Sequence, residues 1–344
     1  MTFWTYSACI GVLLLFHFVT LDAWIAKQLP ISSRDRICAT RPSSRLQSAV
    51  ENVTSAVSPA STPSKFEESG EGPEQRLDKL QGRLLKRLRR AAKEYEMLEK
   101  GDKIMVCVSG GKDSATLLYL LRNLRERLRL DFEIVAAHVD QKQPGYDGGP
   151  LINWMQDEFP EISYHHIEED TYSIVVDKTP EDKSFCTVCS RLRRGILYSK
   201  AIELGCNKIA LGHHADDAAE TLFLNMIHGG TMKGMPARYT SARGSLAVLR
   251  PLIFCHESDI AEYAAMRDFP ILPCNLCNNQ DALQRPQMKL LLGTLEQFNV
   301  NAKQNILNAM SSVRPSHLLD QDLRESCGMD AITGDVLEDE NEPI

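Results

Sequence analysis

A glycine-containing turn between an apolar segment and a helical segment constrains this chain most. Residues 103–108 form a short apolar run of strand type, residues 109–114 have the sequence Ser-Gly-Gly-Lys-Asp-Ser, and residues 114–124 have helical periodicity. Such a turn points free backbone N–H groups and the positive end of the helix dipole at one place, where a phosphate is stabilised. The turn predicts a pyrophosphate-binding loop made of Ser109, Gly110, Gly111, Lys112, Asp113 and Ser114.

The spacing within this loop differs from the G-x-x-x-x-G-K-[ST] pattern of Walker-type enzymes, which wrap the β-phosphate. We therefore expect a different chemistry, the cleavage of ATP to AMP and pyrophosphate. Within the loop, the glycines allow close approach of the backbone, Lys112 adds a positive charge and the two serines add hydroxyl donors.

Two further apolar segments, residues 132–139 and 208–211, have the composition of buried strands and alternate with helical sequence. Alternation of this kind predicts a parallel α/β sheet, whose ligands lie beyond the carboxyl ends of the strands. Polar residues follow both strands, and those we expect in the nucleotide site are Asp140, Gly212, His213, Asp216 and Asp217. The paired aspartates could hold Mg²⁺ through oxygen ligands, and Asp217 could also cap the helix that begins there.

Four of the ten cysteines form two C-x-x-C pairs, Cys186 with Cys189 and Cys274 with Cys277. The spacing alone leaves a structural zinc site, an iron–sulfur cluster and a redox pair open. Basic residues follow the first pair directly, namely Arg191, Arg193 and Arg194. The first pair is therefore expected to open a basic helix instead of a tight zinc knuckle.

The two ends of the chain have compositions unlike that of its middle. Residues 8–19 resemble a signal-peptide core, and residues 34–65 are rich in Ser, Thr and Arg and poor in acids, as transit peptides are. Residues 320–344 hold nine acidic residues and one basic residue, which accounts for the negative net charge of −7. We expect a disordered targeting leader at 1–73, a catalytic domain at 74–319, opened by an amphipathic helix over 74–99, and a disordered acidic tail at 320–344. The leader predicts an organelle, the plastid first, with the mitochondrion or the cytoplasm as alternatives.

These motifs together resemble the ATP-dependent tRNA 2-thiocytidine synthases of the TtcA type, within the PP-loop ATPase superfamily. The resemblance extends from about residue 77 to residue 322, and its segments are 109–114, 140–145, 186–197, 211–217, 222–236, 273–277 and 315–318. Ala215 departs from it, because we expect a basic residue at that position, so one positive charge near the nucleotide or the RNA is missing.

The resemblance implies an adenine-nucleotide α-hydrolase-like (Rossmann-like) parallel sheet flanked by helices, Mg-ATP as cofactor, and a [4Fe-4S] cluster. It implies Cys186, Cys189 and Cys277 as cluster ligands, with Cys274 as an alternative to Cys277. It also implies thiolation of cytidine 32 in tRNA. The C2 oxygen would be adenylated, and sulfur carried by the cluster would displace AMP.

In this scheme Lys112, Asp113 and Asp217 are catalytic. The expected contacts with RNA phosphates come from Arg191, Arg193, Arg194 and Lys233. The expected partners are tRNA, a sulfur donor such as a cysteine desulfurase or its equivalent, and a second copy of the chain, without stable membrane association. The alternatives are another adenylating enzyme, such as a tRNA lysidine synthetase or an amide-forming ligase, and a zinc-stabilised RNA-binding module without catalysis.

Overall fold

The structure, a computed structural model, describes residues 72–179, 185–241, 244, 246–272 and 284–337, with only the backbone at Cys186 and Thr187. The chain divides into two units, residues 1–69 and residues 70–344, and every described residue belongs to the second. The leader predicted at 1–73 therefore lies almost entirely outside the described residues. No helix in the described ranges is long and apolar enough to cross a membrane.

Six strands form one sheet in the order β3-β2-β1-β4-β6-β5. They are β1 (Lys103–Cys107), β2 (Glu133–Asp140), β3 (Ser163–Glu168), β4 (Lys208–Ala210), β5 (Arg238–Thr240) and β6 (Ala247–Leu249). All neighbouring pairs are parallel except β5 and β6, which are antiparallel. The strand order reverses between β1 and β4, since β2 and β3 extend the sheet beyond β1 on one side and β6 and β5 extend it beyond β4 on the other. Parallel α/β sheets bind ligands at the position where the strand order reverses.

Ten α-helices accompany these strands in the described part of the chain. They are α1 (Pro73–Glu94), α2 (Lys112–Leu128), α3 (Gly149–Glu158), α4 (Thr171–Lys178), α5 (Cys186–Glu203), α6 (Ala215–Gly229), α7 (Glu257–Met266), α8 (Gln284–Phe298), α9 (Ala302–Met310) and α10 (Gln321–Ser326). A short 3₁₀ helix, Pro315–His317, precedes α10. The predicted α/β class with a parallel sheet flanked by helices is confirmed.

Strand β1 contributes to the core on both faces of the sheet. Ile104 and Val106 face the cluster that contains Leu88, Leu117 and many further side chains of α1, α2 and α7, while Met105 faces a second cluster with α5. Successive side chains of a strand point to opposite faces, so a strand covered on both sides is apolar throughout. This explains why the segment before the loop has no polar alternation.

Helix α1 has proline in its first turn and buries a stripe of leucines, Leu80, Leu84, Leu85 and Leu88. Part of its basic face is paired, since Arg83 and Arg87 both contact the Asp259 carboxylate of α7. The helix ends at Glu94, five residues before the end that the sequence predicts.

The acidic tail differs from the predicted disorder over residues 320–337. Asp320 caps α10 by accepting a hydrogen bond from the Leu323 N–H at 3.0 Å. The guanidinium of Arg324 donates to the carbonyl oxygens of Leu318 at 2.6 Å and Ala331 at 2.9 Å. One arginine thus satisfies several turn carbonyls and orders a segment that has few apolar residues to bury. Residues 338–344 lie outside the described residues.

Candidate active site

The loop at residues 109–114 is closed by its own two serines. The Ser109 N–H donates to Ser114 Oγ at 3.0 Å, the two hydroxyl oxygens lie 3.1 Å apart, and Ser114 Oγ donates to the Gly111 carbonyl at 3.0 Å. These bonds shape the turn between β1 and α2. Since helix α2 begins at Lys112, the free N–H groups of its first turn lie within the loop, where an anion is stabilised.

Two positions in and beside the loop require glycine. Gly110 has φ of +80°, and a Cβ there would lie 3.0 Å from Leu272 Cβ. A Cβ on Gly212 would lie 2.9 Å from the backbone nitrogen of Ser114, which cannot move aside as a flexible side chain can. The close approach at Gly212 brings the segment after β4 against the start of α2, so the two predicted motifs meet.

Lys112 lies between two carboxylates. Its Nζ is 3.2 Å from Asp113 Oδ1 and 3.3 Å from Glu257 Oε1, and Lys289 Nζ lies 2.7 Å from the other oxygen of Glu257. Burial acts to lower the pKa of Lys112, but the charges of Asp113 and Glu257 outweigh it, so the pKa is raised. The lysine is therefore a fixed positive charge at the loop.

Asp113 and Asp217 converge on one imidazole. His214 Nε2 is 3.7 Å from Asp113 Oδ1 and 3.5 Å from Asp217 Oδ2. Asp217 also caps α6 by accepting from the His214 N–H at 3.0 Å, and its other oxygen lies 3.4 Å from Arg285. The helix begins at Ala215, two residues earlier than predicted, so Asp217 is not the N-cap residue; it completes a capping box with His214 and also lies in the site.

Asp216 is buried and has partners on both oxygens. Oδ2 accepts from the backbone N–H of Glu257 at 2.7 Å, and Oδ1 pairs with Lys303 Nζ at 2.9 Å. Burial acts to raise the pKa of Asp216, but the Glu257 N–H and the Lys303 ammonium lower it. Asp216 therefore joins α6 to α7 and α9, and the more exposed Asp217 is the more accessible of the two to a ligand.

His213 is largely buried beside these carboxylates. Burial, aided by the positive charges of Arg250 and Arg285, lowers the pKa of His213 to about 4. Its Nδ1 is a buried atom with no hydrogen-bond partner among the described residues. A neutral imidazole with an unsatisfied nitrogen fits the predicted contact with a nucleotide, because a ligand would supply the missing bond.

Asp140 ends β2 and is bound within its own turn. Its Oδ1 accepts from the Lys142 N–H at 2.7 Å, and its Oδ2 lies 3.6 Å from Lys142 Nζ and 3.8 Å from His166 Nε2. Lys142 also pairs with Glu168 at the end of β3, at 2.8 Å. Asp140 is at the expected edge of the sheet, where it shapes the turn that follows β2.

The first cysteine pair opens helix α5, as the sequence predicts. Cys186 is the first residue of this helix, and Cys189 is buried one turn later. The Cys189 thiol donates to Gln141 Oε1 at 3.0 Å. Cys274 and Cys277 lie outside the described residues.

The residues predicted to bind RNA phosphates lie on two elements. Arg191 and Arg194 are exposed on α5 and Arg193 is half-buried there, whereas Lys233 is exposed on the loop after α6. The position that departs from the family pattern, Ala215, is buried at the start of α6, and its N–H donates to Cys255 O at 2.9 Å.

Four charged residues near the loop were not predicted from the sequence. Glu257 begins α7 and binds Lys112, while Arg285 and Lys289 of α8 and Lys303 of α9 pair with the acidic residues of the site. The sequence offers no signal for them, because a charged residue at helical spacing has the same pattern whether it faces solvent or a site. The three basic residues among them add positive charge around the position expected for a triphosphate.

A parallel sheet with this glycine loop at its central strand, a fixed lysine and converging carboxylates defines the PP-loop class of nucleotide-binding proteins. A family model described as a PP-loop domain matches residues 81–289. The chain belongs to the tRNA-cytidine(32) 2-sulfurtransferases of this class. The relative of that name from Pseudoalteromonas atlantica is 47% identical over 274 residues, which are 78% of this chain and 86% of the relative.

Another relative of the same name, from Erwinia tasmaniensis, is 49% identical over 247 residues, covering 72% of this chain and 79% of the relative. Among solved structures, the U34-tRNA thiolase NcsA from Methanococcus maripaludis, solved with its [4Fe-4S] cluster, has a TM-score of 0.54 and 21% identity. That match covers 68% of this chain and 78% of the other, and it shows the shared fold. The family predicted from the motifs is confirmed.

Proposed function

We propose that this chain is an ATP-dependent sulfurtransferase that converts cytidine 32 of tRNA to 2-thiocytidine. Its membership in the family supports the substrate. The observation that supports a sulfur transfer dependent on cysteine is the hydrogen bond between Cys189 and Gln141. Gln141 directly follows β2, which pairs with β1, the strand that leads into the loop. A cysteine of a C-x-x-C pair therefore lies at the same edge of the sheet as the nucleotide loop.

ATP would be cleaved between its α- and β-phosphates. The O2 atom of the cytosine attacks the α-phosphorus, the bond to the β-phosphate oxygen breaks, and pyrophosphate leaves. The N–H groups of the loop and the Lys112 ammonium would stabilise the charge of that leaving group. Sulfur at the oxidation level of sulfide then adds to C2, and AMP departs with the former O2, so the base is neither oxidised nor reduced.

Asp113 of the loop and Asp217 of α6 are the carboxylates that would bind a magnesium ion. Asp113 and Asp217 each place an oxygen within 3.7 Å of His214 Nε2, so each offers a hard oxygen ligand beside the loop. The Asp216 side chain is only 5% exposed, against 18% for Asp217, and it serves the packing of α7 and α9 against α6 instead. When bound, Mg²⁺ would neutralise negative charge on the departing pyrophosphate.

Helix α5 begins with the first cysteine pair and is called the cysteine helix below; it fits an iron–sulfur cluster. Cys189 lies in an apolar environment beside Val175, with its sulfur directed at a polar amide, and Cys186 precedes it on the same helix. Cys277 is the proposed third ligand, with Cys274 as the alternative. When bound, the cluster would supply an iron with an open position for inorganic sulfur. A cysteine desulfurase or its equivalent would be the source of that sulfur.

The tRNA would be held by exposed basic side chains on the cysteine helix itself. Arg191 and Arg194 project from α5, which begins at Cys186, so contacts to phosphates there would bring the target base toward the cysteines. The target base must leave its stack to react, which suits a single-stranded anticodon loop. A homodimer and the absence of stable membrane association stay predictions.

Complementation tests the substrate. A strain that lacks 2-thiocytidine is supplied with the wild-type chain or with Lys112→Ala, and nucleosides from its tRNA are measured by mass spectrometry. We expect 2-thiocytidine only with the wild-type chain. Unchanged cytidine with the wild-type chain would refute the substrate assignment.

Metal analysis tests the cofactor separately. Protein reconstituted anaerobically should show broad visible absorption, and the triple variant Cys186→Ala, Cys189→Ala, Cys277→Ala should lack it. Colourless wild-type protein that contains stoichiometric zinc would contradict the cluster.

A further inference from the structure

Gln141 links the end of β2 to the cysteine helix through its side-chain amide. Its Oε1 accepts two hydrogen bonds, one from Cys189 Sγ at 3.0 Å and one from Thr171 Oγ1 at 3.2 Å. An amide oxygen has two lone pairs, so these two donors satisfy it. Thr171 and Cys189 are both buried, which makes these contacts costly to lose.

The turn that presents Gln141 is held on both sides. The carbonyl of Gln141 accepts from the Tyr172 N–H at 3.1 Å, which fixes the turn to the start of α4. The next residue, Lys142, has φ of +57° and donates its N–H to Asp140 Oδ1 at 2.7 Å. A backbone held in this uncommon conformation by specific bonds places the Gln141 side chain reproducibly.

The hydrogen bond between Gln141 and Cys189 must reverse its direction when the cysteine changes from a thiol to a thiolate. A thiol donates its hydrogen to Oε1, but a cysteine that ligates iron does so as a thiolate and has no hydrogen to donate. A half turn of the terminal torsion of glutamine exchanges Oε1 and Nε2 at little cost, because this torsion is broad and two-fold. The NH₂ group then faces the sulfur, and the Thr171 hydroxyl, which is both donor and acceptor, accepts the second N–H.

We infer that Gln141 donates an N–H···S hydrogen bond to the Cys189 thiolate when that thiolate ligates the cluster, and that this bond raises the reduction potential of the cluster. The inference rests on the proposed function, since it presupposes the cluster. A donor at a ligand sulfur withdraws electron density from it and favours the reduced, more negatively charged form. Gln141 is thus a positioning residue that acts through Cys189.

Two substitutions remove the donor in different ways. Gln141→Leu replaces the amide with an apolar group, and Gln141→Glu keeps the size of the side chain but leaves a carboxylate that only accepts. The matched control is Gln143→Leu in the same turn, because the Gln143 side chain makes no hydrogen bond to any described residue. All four proteins are reconstituted anaerobically, and iron content and midpoint potential are measured, the latter by a spectroelectrochemical titration at one pH.

We expect Gln141→Leu to hold a cluster with a lower midpoint potential than wild type, Gln141→Glu to lie lower still because of its added negative charge, and Gln143→Leu to match wild type. Since glutamate matches glutamine in size, the Glu variant carries the test if the Leu variant is insoluble. Unchanged potentials in the Gln141 variants would overturn the inference, as would loss of iron from both soluble variants, because the inference gives Gln141 no role as a ligand. Wild-type protein that binds no iron would instead contradict the proposed function.

Discussion

The Lys112 ammonium lies 3.3 Å from Glu257 Oε1, so a lysine of the phosphate loop is held by the first residue of helix α7. Lys289 of α8 binds the same carboxylate from the other side, at 2.7 Å to Oε2. The charge that would meet a leaving pyrophosphate is therefore fixed in place before any nucleotide arrives, and such preorganisation makes an electrostatic contact effective in catalysis.

Replacing Lys112 with alanine should slow pyrophosphate release strongly. By analogy with the removal of one charge-stabilising donor from other enzymes, we expect a loss of roughly 10²–10³-fold in kcat. A coupled assay for pyrophosphate measures the effect. The matched control is Lys100→Ala, since the one ion pair of this exposed lysine with a described residue is a 3.8 Å contact with Asp131. Equal rates in the Lys112 variant and wild type would remove the loop lysine from catalysis.

Replacing Gly212 with alanine should damage the site through sterics alone. The added Cβ would lie 2.9 Å from the Ser114 backbone nitrogen, and overpacking of this kind costs about 1–3 kcal/mol. We expect a lower melting temperature and a higher KM for ATP, because the start of α2 must shift. Gly82→Ala is the control, since a Cβ there meets no described residue within 4 Å and alanine favours the interior of α1 by about 0.5–1 kcal/mol. A Gly212 variant as stable and active as wild type would contradict this close approach.

Replacing Asp216 with asparagine should lower stability in a pH-dependent way. The pKa of Asp216 in the folded protein is below its ordinary value of 3.8, so ionised Asp216 stabilises the fold at pH values above 3.8. That contribution shrinks as the pH falls through this value toward the lower folded pKa. Loss of the ion pair with Lys303 should cost about 1–3 kcal/mol at pH 7. Urea unfolding of both proteins between pH 7 and pH 3.5 measures the difference, and a gap that widened on acidification would contradict the sign.

Replacing Arg191 and Arg194 with alanine should weaken tRNA binding and flatten its dependence on salt. Each lost phosphate contact should reduce the slope of log K against log salt concentration by about one. Filter binding between low and moderate salt concentrations measures the slope. Arg127→Ala is the control, because Arg127 is exposed near the end of α2 that lies away from the loop. A double variant with the wild-type slope would place the tRNA elsewhere.

We propose that residues 1–75 direct the chain to the plastid, on the basis of their signal-like and transit-like composition. A fusion of these residues to a fluorescent protein should co-localise with a plastid marker. The remainder of the chain, fused in the same way, serves as the control and should stay in the cytosol. Cytosolic fluorescence of the leader fusion would contradict the proposal.

The sequence predicts the loop, the central strands and the cysteine helix because each has a local signature. The loop has an apolar strand before it and a helix after it, and Cys186 does begin a basic helix. Strand β3 was missed because it lies at one edge of the sheet and is polar over most of its length, and β5 was missed because it is a three-residue strand at the other edge with two exposed residues. Such strands are formed by the neighbours they pair with, so no local pattern identifies them.

The charge environment of the loop depends on contacts between residues far apart in the sequence. Lys303 reaches Asp216 and Lys289 reaches Glu257, and nothing in the sequence near these residues indicates either contact. The role of Asp216 depends on one such contact. Lys303 of α9 pairs with Asp216 Oδ1, whereas the sequence alone is equally consistent with a metal ion at this carboxylate.

The hydrogen bond from the Leu272 N–H to the Gly110 carbonyl, at 2.9 Å, joins the phosphate loop to the residue that stands two positions before Cys274 in the sequence. A ligand that draws Gly110 toward itself would therefore also act on Leu272 through this hydrogen bond. Leu272 would then be linked to nucleotide binding without touching the nucleotide, and the linkage is reciprocal: a substitution at Leu272 that alters the position of Gly110 would alter nucleotide affinity by the same free energy with which nucleotide alters the contact.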